Sequence, residues 1–276
     1  VWAFQVQLSD TLMGPVMAKY ALDQGWKKGV LLFGNTGSAI SVERNLKVAY
    51  PAAGGTIVGD FIIEEDQPSY RAELQRILTA KPDVIFFEVG PKTAATLFRE
   101  WFQMAPSSLR IQWFGTDFVN QSFIRQVGPD LAEGVLSLSR GPAESERYEA
   151  WKQKYYQINK TRVVKALSEY AYDALNIVAL AIEAAGHVSR EGIAANIRRI
   201  SNPPGVKVTS FPEGAAALRA GKEIDYDGLT SPADFTDFGL VIGPYTVSQV
   251  QKGNLVRLKT LMPKVKLVET FATLPE

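Results

Sequence analysis

The chain contains no cysteine, which excludes disulfides, thiolate catalysis and thiolate-bound metal and leaves its redox compartment unmarked. Histidine occurs once, at His187, so a histidine-rich metal cluster is excluded too, and its setting in AAGHVS, just past a helix that Gly186 is placed to cap, gives it a surface or capping role. An excess of charge of either sign is also missing. The 30 basic and 29 acidic side chains nearly cancel, and without a run of like charges there is no stripe for nucleic acid and no patch for anionic lipid. No uninterrupted apolar segment reaches the roughly 18 residues that span a bilayer, so direct membrane insertion is not expected. The opening residues, VWAFQVQLSD, lack the basic start and apolar stretch of an export signal. Also absent are a GxSxG elbow, a GxxxxGK[ST] phosphate loop, a GxGxxG turn and an HExxH helix, so the usual signatures of hydrolases, nucleotide binders and zinc enzymes are missing. Neither a cofactor nor a metal is implied.

What is present is a core and an alternating rhythm. With 276 residues, 46% of them hydrophobic, the chain can bury one large domain or two smaller ones. KGVLLFG reads as a buried strand from Lys28, and a helix follows over Ser38 to Ala53. The pattern returns as TIVGDFIIE with a helix over Ser69 to Ala80, as DVIFFEVG with one over Lys92 to Met104, and as IQWFG with one over Val119 to Val127. On the second helix Leu74, Ile77 and Leu78 share one face while Arg71, Glu73, Gln75 and Arg76 point elsewhere, the stripe of a helix lying on a sheet. The strands are continuously apolar, as parallel strands covered on both faces are. Strand-helix alternation with right-handed crossovers implies an open, doubly wound parallel sheet. After GVLSLSRG the text changes to three helices with no strand between them, over Ala143 to Gln157, Leu167 to Ala185 and Arg190 to Ile200. The stretches NPPGVKVTSFPEG and IDYDGLTSPADFTDFG read as turn-rich, and Tyr245 to Gln251 with Leu255 to Leu261 read as a closing hairpin.

Ligand crevices in such sheets lie at the carboxyl ends of the strands. Three loops fall there: FGNTGS with Thr36 and Ser38, EVGPK with Glu88, Gly90 and Pro91, and GTDF with Thr116, Asp117 and Phe118. Their amides, hydroxyls and carboxylates suit the polar groups of a zwitterion. Asp117 can pair with an ammonium while the Phe118 ring covers the ligand's stem; the competing reading makes Asp117 a helix cap or turn residue. Tyr172, in SEYAYDAL, reads equally as a core aromatic. The acidic group Glu64 to Asp66 precedes Gln-Pro and reads as solvated loop charge rather than as an acid-base or metal pair.

The order LSDTLMG, KKGVLLFGNTGSAISVERNLK, PDVIFFEVGPKTAATLFREW, IQWFGTDFVNQSF, LAEGVLSLS and IDYDGLTSPADFTDFG resembles the branched-chain amino-acid-binding family of ABC importers, that is, type I periplasmic solute-binding proteins. It is similar also to relatives that take up amides, urea or aromatic acids. LAEGV and the Tyr-Asp-Gly with Asp-Phe block are its most specific parts. The resemblance implies an α/β periplasmic-binding-protein type I fold: two doubly wound parallel-sheet lobes with a three-strand hinge that close on a ligand, without catalysis. Residue by residue, Asp117 matches the acidic position that receives an α-ammonium, Gly90 and Pro91 lie in the loop lining the same lobe, and Tyr172 matches an aromatic bordering the pocket. Ser38 departs from the pattern, standing with Ala39 where an aromatic-Gly pair is usual, which implies a roomier pocket.

The resemblance further implies that residues 9–141 with 243–262 form a complete lobe. Residues 1–8 with 142–242 then belong to a first lobe whose N-terminal sheet is missing, and 263–276 form a tail. About a hundred residues of strand-helix units would precede Val1 in such a family, a length typical of one domain. The expected function is capture of an amino acid or similar small polar solute outside the cytoplasmic membrane of a bacterium, in the periplasm, and its delivery to ABC transporter permease subunits. A ligand-sensing domain of the same fold is the alternative. An α/β enzyme acting through Asp117 or Glu88 is disfavoured by the lack of a nucleophile-base pair.

Overall fold

The computed structural model describes residues 2–106, 108–140, 145–165 and 167–263. All but the first residue of the expected tail, and positions 143 and 144 of the expected helix over Ala143 to Gln157, lie outside the described residues. The chain divides into two compact units. Asp10–Arg140 with Tyr245–Leu261 form a sheet unit. The remaining described residues, 2–9, 145–165, 167–244 and 262–263, form a helical unit.

In the sheet unit a short 3-10 turn at Asp10–Leu12 leads into α1 (Met13–Asp23). Then come β1 (Lys28–Gly34), α2 (Gly37–Ala52), β2 (Thr56–Ile63), α3 (Arg71–Ala80), β3 (Val84–Glu88), α4 (Pro91–Met104) and β4 (Gln112–Gly115). They are followed by α5 (Gln121–Val127), α6 (Pro129–Ala132) and β5 (Leu136–Arg140). Five strands run parallel in the order β2-β1-β3-β4-β5, and the antiparallel pair β8 (Tyr245–Gln251) and β9 (Asn254–Leu261) extends the sheet beyond β5. The order reverses at β1, so the switch point lies between β1 and β3.

Alternation along each strand explains the unbroken apolar runs. Val30, Leu32, Ile85, Phe87 and Trp113 face Leu74 and Ile77 of α3, Leu97 and Phe98 of α4, and Phe123 of α5. On the other face Phe86 meets Tyr50 of α2 with ring centroids 5.1 Å apart, and Phe114 meets Tyr20 of α1 at 5.5 Å. The central strands β1, β3 and β4 are therefore covered on both sides, and no polar face interrupts them. Side-chain caps set several helix starts: Thr36 accepts from Ala39 N at the head of α2, and Asn120 accepts from Ser122 N and Phe123 N at the head of α5. The cap at Asn120 starts α5 two residues later than the expected Val119. The sequence reading assigns no helix to α1. Its residues Met13 to Ala18 are all buried, which erases the polar face that would mark an amphipathic period.

The helical unit holds α7 (Glu146–Asn159), α8 (Ser168–Ala185) and α9 (Arg190–Ser201), as expected. The stretch read as turns contains more order than that: β6 (Val206–Val208) and β7 (Ile224–Tyr226) form a two-stranded parallel sheet around α10 (Phe211–Arg219). Strands of three residues are too short to display a period, which is why they are not legible. The Tyr-Asp-Gly with Asp-Phe block folds onto this frame through a buried carboxylate on α8. Asp173 accepts from the Tyr226 hydroxyl at 2.9 Å, from Leu229 N at 2.8 Å, and from Thr230 N and Oγ1 at 2.9 and 2.8 Å. Gly228 is required here, since a Cβ would stand 2.6 Å from the Ser231 carbonyl oxygen and 3.0 Å from Asp173 Oδ2. Further along, Asn202 holds both Phe235 N and Phe235 O through its side-chain amide. Gly186 ends α8 in the left-handed region at φ 70°, and exposed His187 lies beside it with Nδ1 2.9 Å from the Ala185 carbonyl oxygen.

Candidate functional site at the carboxyl edge of the sheet unit

The carboxyl ends of β1, β3, β4 and β5 gather a cluster of polar groups. Glu88, the last residue of β3, is buried, and Ser38 Oγ at the start of α2 donates to its Oε1 at 2.8 Å. Thr116, fully buried at the end of β4, also bonds the Glu88 carboxyl. Burial raises the Glu88 pKa, the two hydroxyl bonds oppose that rise, and the nearby Asp117 and Asp10 carboxylates reinforce it.

One position beyond Thr116, Asp117 is partly exposed and already has a cation. Arg140, which ends β5, donates to Asp117 Oδ2 from Nε at 2.9 Å and from a terminal nitrogen at 2.8 Å. Its other terminal nitrogen contacts Asp10, at the entry to α1. One guanidinium thus forks between two carboxylates. Burial is the largest influence on Asp10 and raises its pKa, with Arg140 pulling it down and Asp117 pushing it up. For Arg140, burial pulls the pKa down, but the two carboxylates outweigh it and the net direction is upward. Two carboxylates, Asp10 and Asp117, thus share the Arg140 guanidinium, and Glu88 lies near enough for both to raise its pKa.

The second loop is tied to the acidic group after β2. Glu65 accepts from Gly90 N with both oxygens, at 3.0 and 3.2 Å. Gly34 leaves room for that carboxylate: a Cβ there would lie 2.2 Å from Glu65 Oε1. Glu64 accepts from the Asn35 side chain at 2.7 Å, Asp66 N donates to Thr93 Oγ1 at 2.8 Å, and Lys92 pairs with Asp66 at 3.2 Å. The Glu64 to Asp66 group is therefore a brace between the β1, β2 and β3 loops rather than solvated loop charge alone. Among the described residues no group of three or more His, Cys, Asp or Glu is placed to hold a metal ion.

Of the residues singled out from the sequence, Ser38, Glu88, Thr116 and Asp117 share one cluster. Thr36, Gly90, Pro91 and Phe118 stand at the same edge in narrower roles: Thr36 caps α2, Gly90 and Pro91 open α4, and Phe118 presents an exposed ring. Tyr172 belongs to the helical unit, half-buried with its ring 6.0 Å from that of Trp151. Arg140 and Asp10 are not among the residues singled out from the sequence, and Glu65 is read there only as solvated loop charge. Arg140 carries a signal, a basic residue closing an apolar strand, but its partners depend on β5 lying beside β4.

The periplasmic binding protein family matches residues 2–254. No curated protein matches the sequence. Among solved structures, the leucine-binding protein LivK of Thermotoga maritima is similar at 20% identity and a TM-score of 0.72, over 94% of this chain and 67% of that one. A solute-binding protein of an R. palustris ABC transporter, solved with benzoate, is similar at 15% identity and a TM-score of 0.69, over 95% of this chain and 66% of that one. LivJ of Streptococcus pneumoniae, solved with isoleucine, matches at 16% identity and a TM-score of 0.67, over 94% of this chain and 65% of that one. The chain spans about two thirds of the length of these structures. The structures compared are of solute-binding proteins, and no described helix is long and apolar enough to cross a membrane. At such identities the likeness establishes the fold, the type I periplasmic-binding-protein α/β class expected from the order of motifs. With the family matched over nearly its whole length, this chain belongs to the periplasmic binding protein family.

Proposed function

We propose that the chain is the extracytoplasmic solute-binding component of an ABC importer, which captures an amino acid or similar small polar solute by hinge closure and delivers it to permease subunits. The observation that carries this reading is the acidic cluster at the carboxyl edge: Asp10 and Asp117 share the single guanidinium of Arg140, and the buried Glu88 lies beside both. An incoming ammonium can share the Asp117 carboxylate with Arg140, and Ser38 and Thr116 offer hydroxyls beside it. The neighbours solved with isoleucine and benzoate mark the two solute classes to distinguish.

A second reading rests on Arg140. A carboxylate solute can take the guanidinium's fork in place of Asp117, which suits an aromatic acid. Titration calorimetry with leucine and with benzoate on the wild-type chain and on Asp117→Asn separates the two. For an ammonium-bearing solute the variant binds about 2 kcal/mol more weakly, through loss of a charge-assisted bond. For a carboxylate bound at Arg140 the variant binds as well or better, because Asp117 no longer competes. Unchanged affinity for an amino acid overturns the ammonium role of Asp117.

We further propose that the helical unit seats a sheet supplied by additional polypeptide. Support comes from α8, where Ala171, Leu175 and Val178 form an exposed apolar stripe at helical spacing, Leu175 being 72% exposed. The chain by itself is then expected to bind a hydrophobic dye and self-associate, and Leu175→Glu with Val178→Glu should reduce both without loss of urea stability. A destabilised double variant would mean that the stripe is internal.

A further inference from the structure

The sheet unit begins or ends at Asp10, Arg140, Tyr245 and Leu261, and at each of these the chain crosses to or from the helical unit. The first three boundary residues meet at one guanidinium-bearing position. Arg140 pairs with Asp10 through a terminal nitrogen, and in the β5–β8 ladder its backbone stands opposite that of Tyr245, which is fully buried. Its Nε and other terminal nitrogen go to Asp117, which stands apart from the crossings in the loop after β4. Only 12% of the Arg140 side chain is exposed, so the two carboxylates rather than water decide where the guanidinium leans.

Both ends of the first crossing are anchored. Asp10 opens the 3-10 turn that runs into α1, whose residues Met13 to Ala18 are all buried, so a pull on its carboxylate acts on a fixed point. At the other end, within the helical unit, Gln5 bridges in parallel to Leu240 and its N–H donates to the Gly239 carbonyl oxygen at 2.8 Å. Leu8 packs so closely on Gly243 that a Cβ there would stand 2.8 Å from the leucine side chain. Residues 6–9 are all the chain that lies between these anchors, too short a span to take up slack at Asp10 without passing it on.

We infer that Arg140 transmits occupation of the Asp117 loop to the first crossing: whatever weakens its bond to Asp117 strengthens its bond to Asp10 and stiffens residues 6–9. The occupant is the solute proposed for the carboxyl edge, and the coupling rests on that reading for its ligand. The two solute classes then leave different marks. An ammonium shares the Asp117 carboxylate and releases the guanidinium towards Asp10, whereas a carboxylate takes the place of Asp117 on the fork and leaves the Asp10 bond no stronger. Asp10 is thus a positioning residue, acting through Arg140 without touching the solute.

Hydrogen exchange read by mass spectrometry on the whole chain tests the coupling before any ligand is added. Asp117→Asn no longer competes for the guanidinium and should slow exchange in a peptide over residues 6–13 at least threefold, while a peptide over 93–101 in α4 is unaffected. In an Asp10→Asn background the same substitution should change nothing, and Asp10→Glu should restore the response. A 6–13 peptide that Asp117→Asn leaves unchanged, or a response that survives Asp10→Asn, overturns the inference. Leucine added to the wild-type chain should reproduce the slowing and benzoate should not. If calorimetry shows that neither solute binds, the solute reading falls while the ligand-free comparison still decides the coupling. Leucine that binds without slowing the 6–13 peptide overturns the coupling itself.

Discussion

Replacing Asp173 with alanine is expected to cost the helical unit about 4 kcal/mol, because two buried backbone N–H groups lose their acceptor at roughly 1–3 kcal/mol each and a cavity is left beside them. Those groups belong to Leu229 and Thr230, while the Tyr226 and Thr230 hydroxyls can rotate towards other partners. Asp173→Asn keeps one acceptor oxygen and should lose about half as much. Urea unfolding followed by tyrosine and tryptophan signals measures both, with the transition of the helical unit moving and that of the sheet unit staying put. A loss below about 1 kcal/mol for the alanine variant, within the range of an ordinary surface change, would mean that the 227–240 segment is held by something else.

The second large effect is expected at Arg140. Arg140→Gln leaves Asp10 and Asp117 facing each other across the β4 and β5 ends without a cation. Breaking a buried ion pair costs roughly 3–5 kcal/mol, but both carboxylates are partly exposed and screened, so the expected loss at neutral pH is about 2 kcal/mol. The loss depends on pH with a definite sign. Burial already raises the Asp10 pKa above the ordinary value of 3.8, and removing Arg140 removes a contribution that lowers it. A carboxyl whose folded pKa lies above its unfolded one favours the fold below the unfolded value and loses that contribution as pH rises through the folded one. Arg140→Gln should therefore be nearly neutral at about pH 4 and costly by about pH 7. Arg140→Lys keeps the charge without the fork and should fall between. Equal destabilisation at both pH values would show that the guanidinium matters for its packing alone.

These two residues also mark where legibility from sequence ends. The strand-helix rhythm of the sheet unit could be read because strands covered on both faces are apolar without a break, and the carboxyl-edge loops follow from parallel topology once the rhythm is seen. Ser38, Glu88, Thr116 and Asp117 were accessible on that basis. Arg140 and Asp10 were not, since they meet across 130 positions of sequence and only the fold brings them together. Asp173 leaves a fainter mark, a carboxylate within the mostly apolar helix over Leu167 to Ala185, where a buried ionisable group needs partners. Its partners lie in the same Tyr-Asp-Gly block that carries the family resemblance, so the distinctive motif of the sequence turns out to be a hydrogen-bonded latch onto α8. Short elements escaped notice for a different reason. β6, β7 and the 3-10 turn each have three residues, fewer than any periodicity can register.

The sheet unit takes its last two strands, Tyr245–Leu261, from beyond the 145–244 stretch that supplies most of the helical unit. During synthesis, β5 must therefore emerge and wait with one flank unpaired until roughly a hundred further residues have left the ribosome, and the pairing it then makes with β8 closes a long loop at an entropic cost that grows only slowly with length. Nucleation can begin early around β1, β3 and β4, but completion of the unit is a late event with high contact order. Maturation of the two units is thereby interlocked in time: the ribosome delivers most of the helical unit as an insertion within a half-finished sheet.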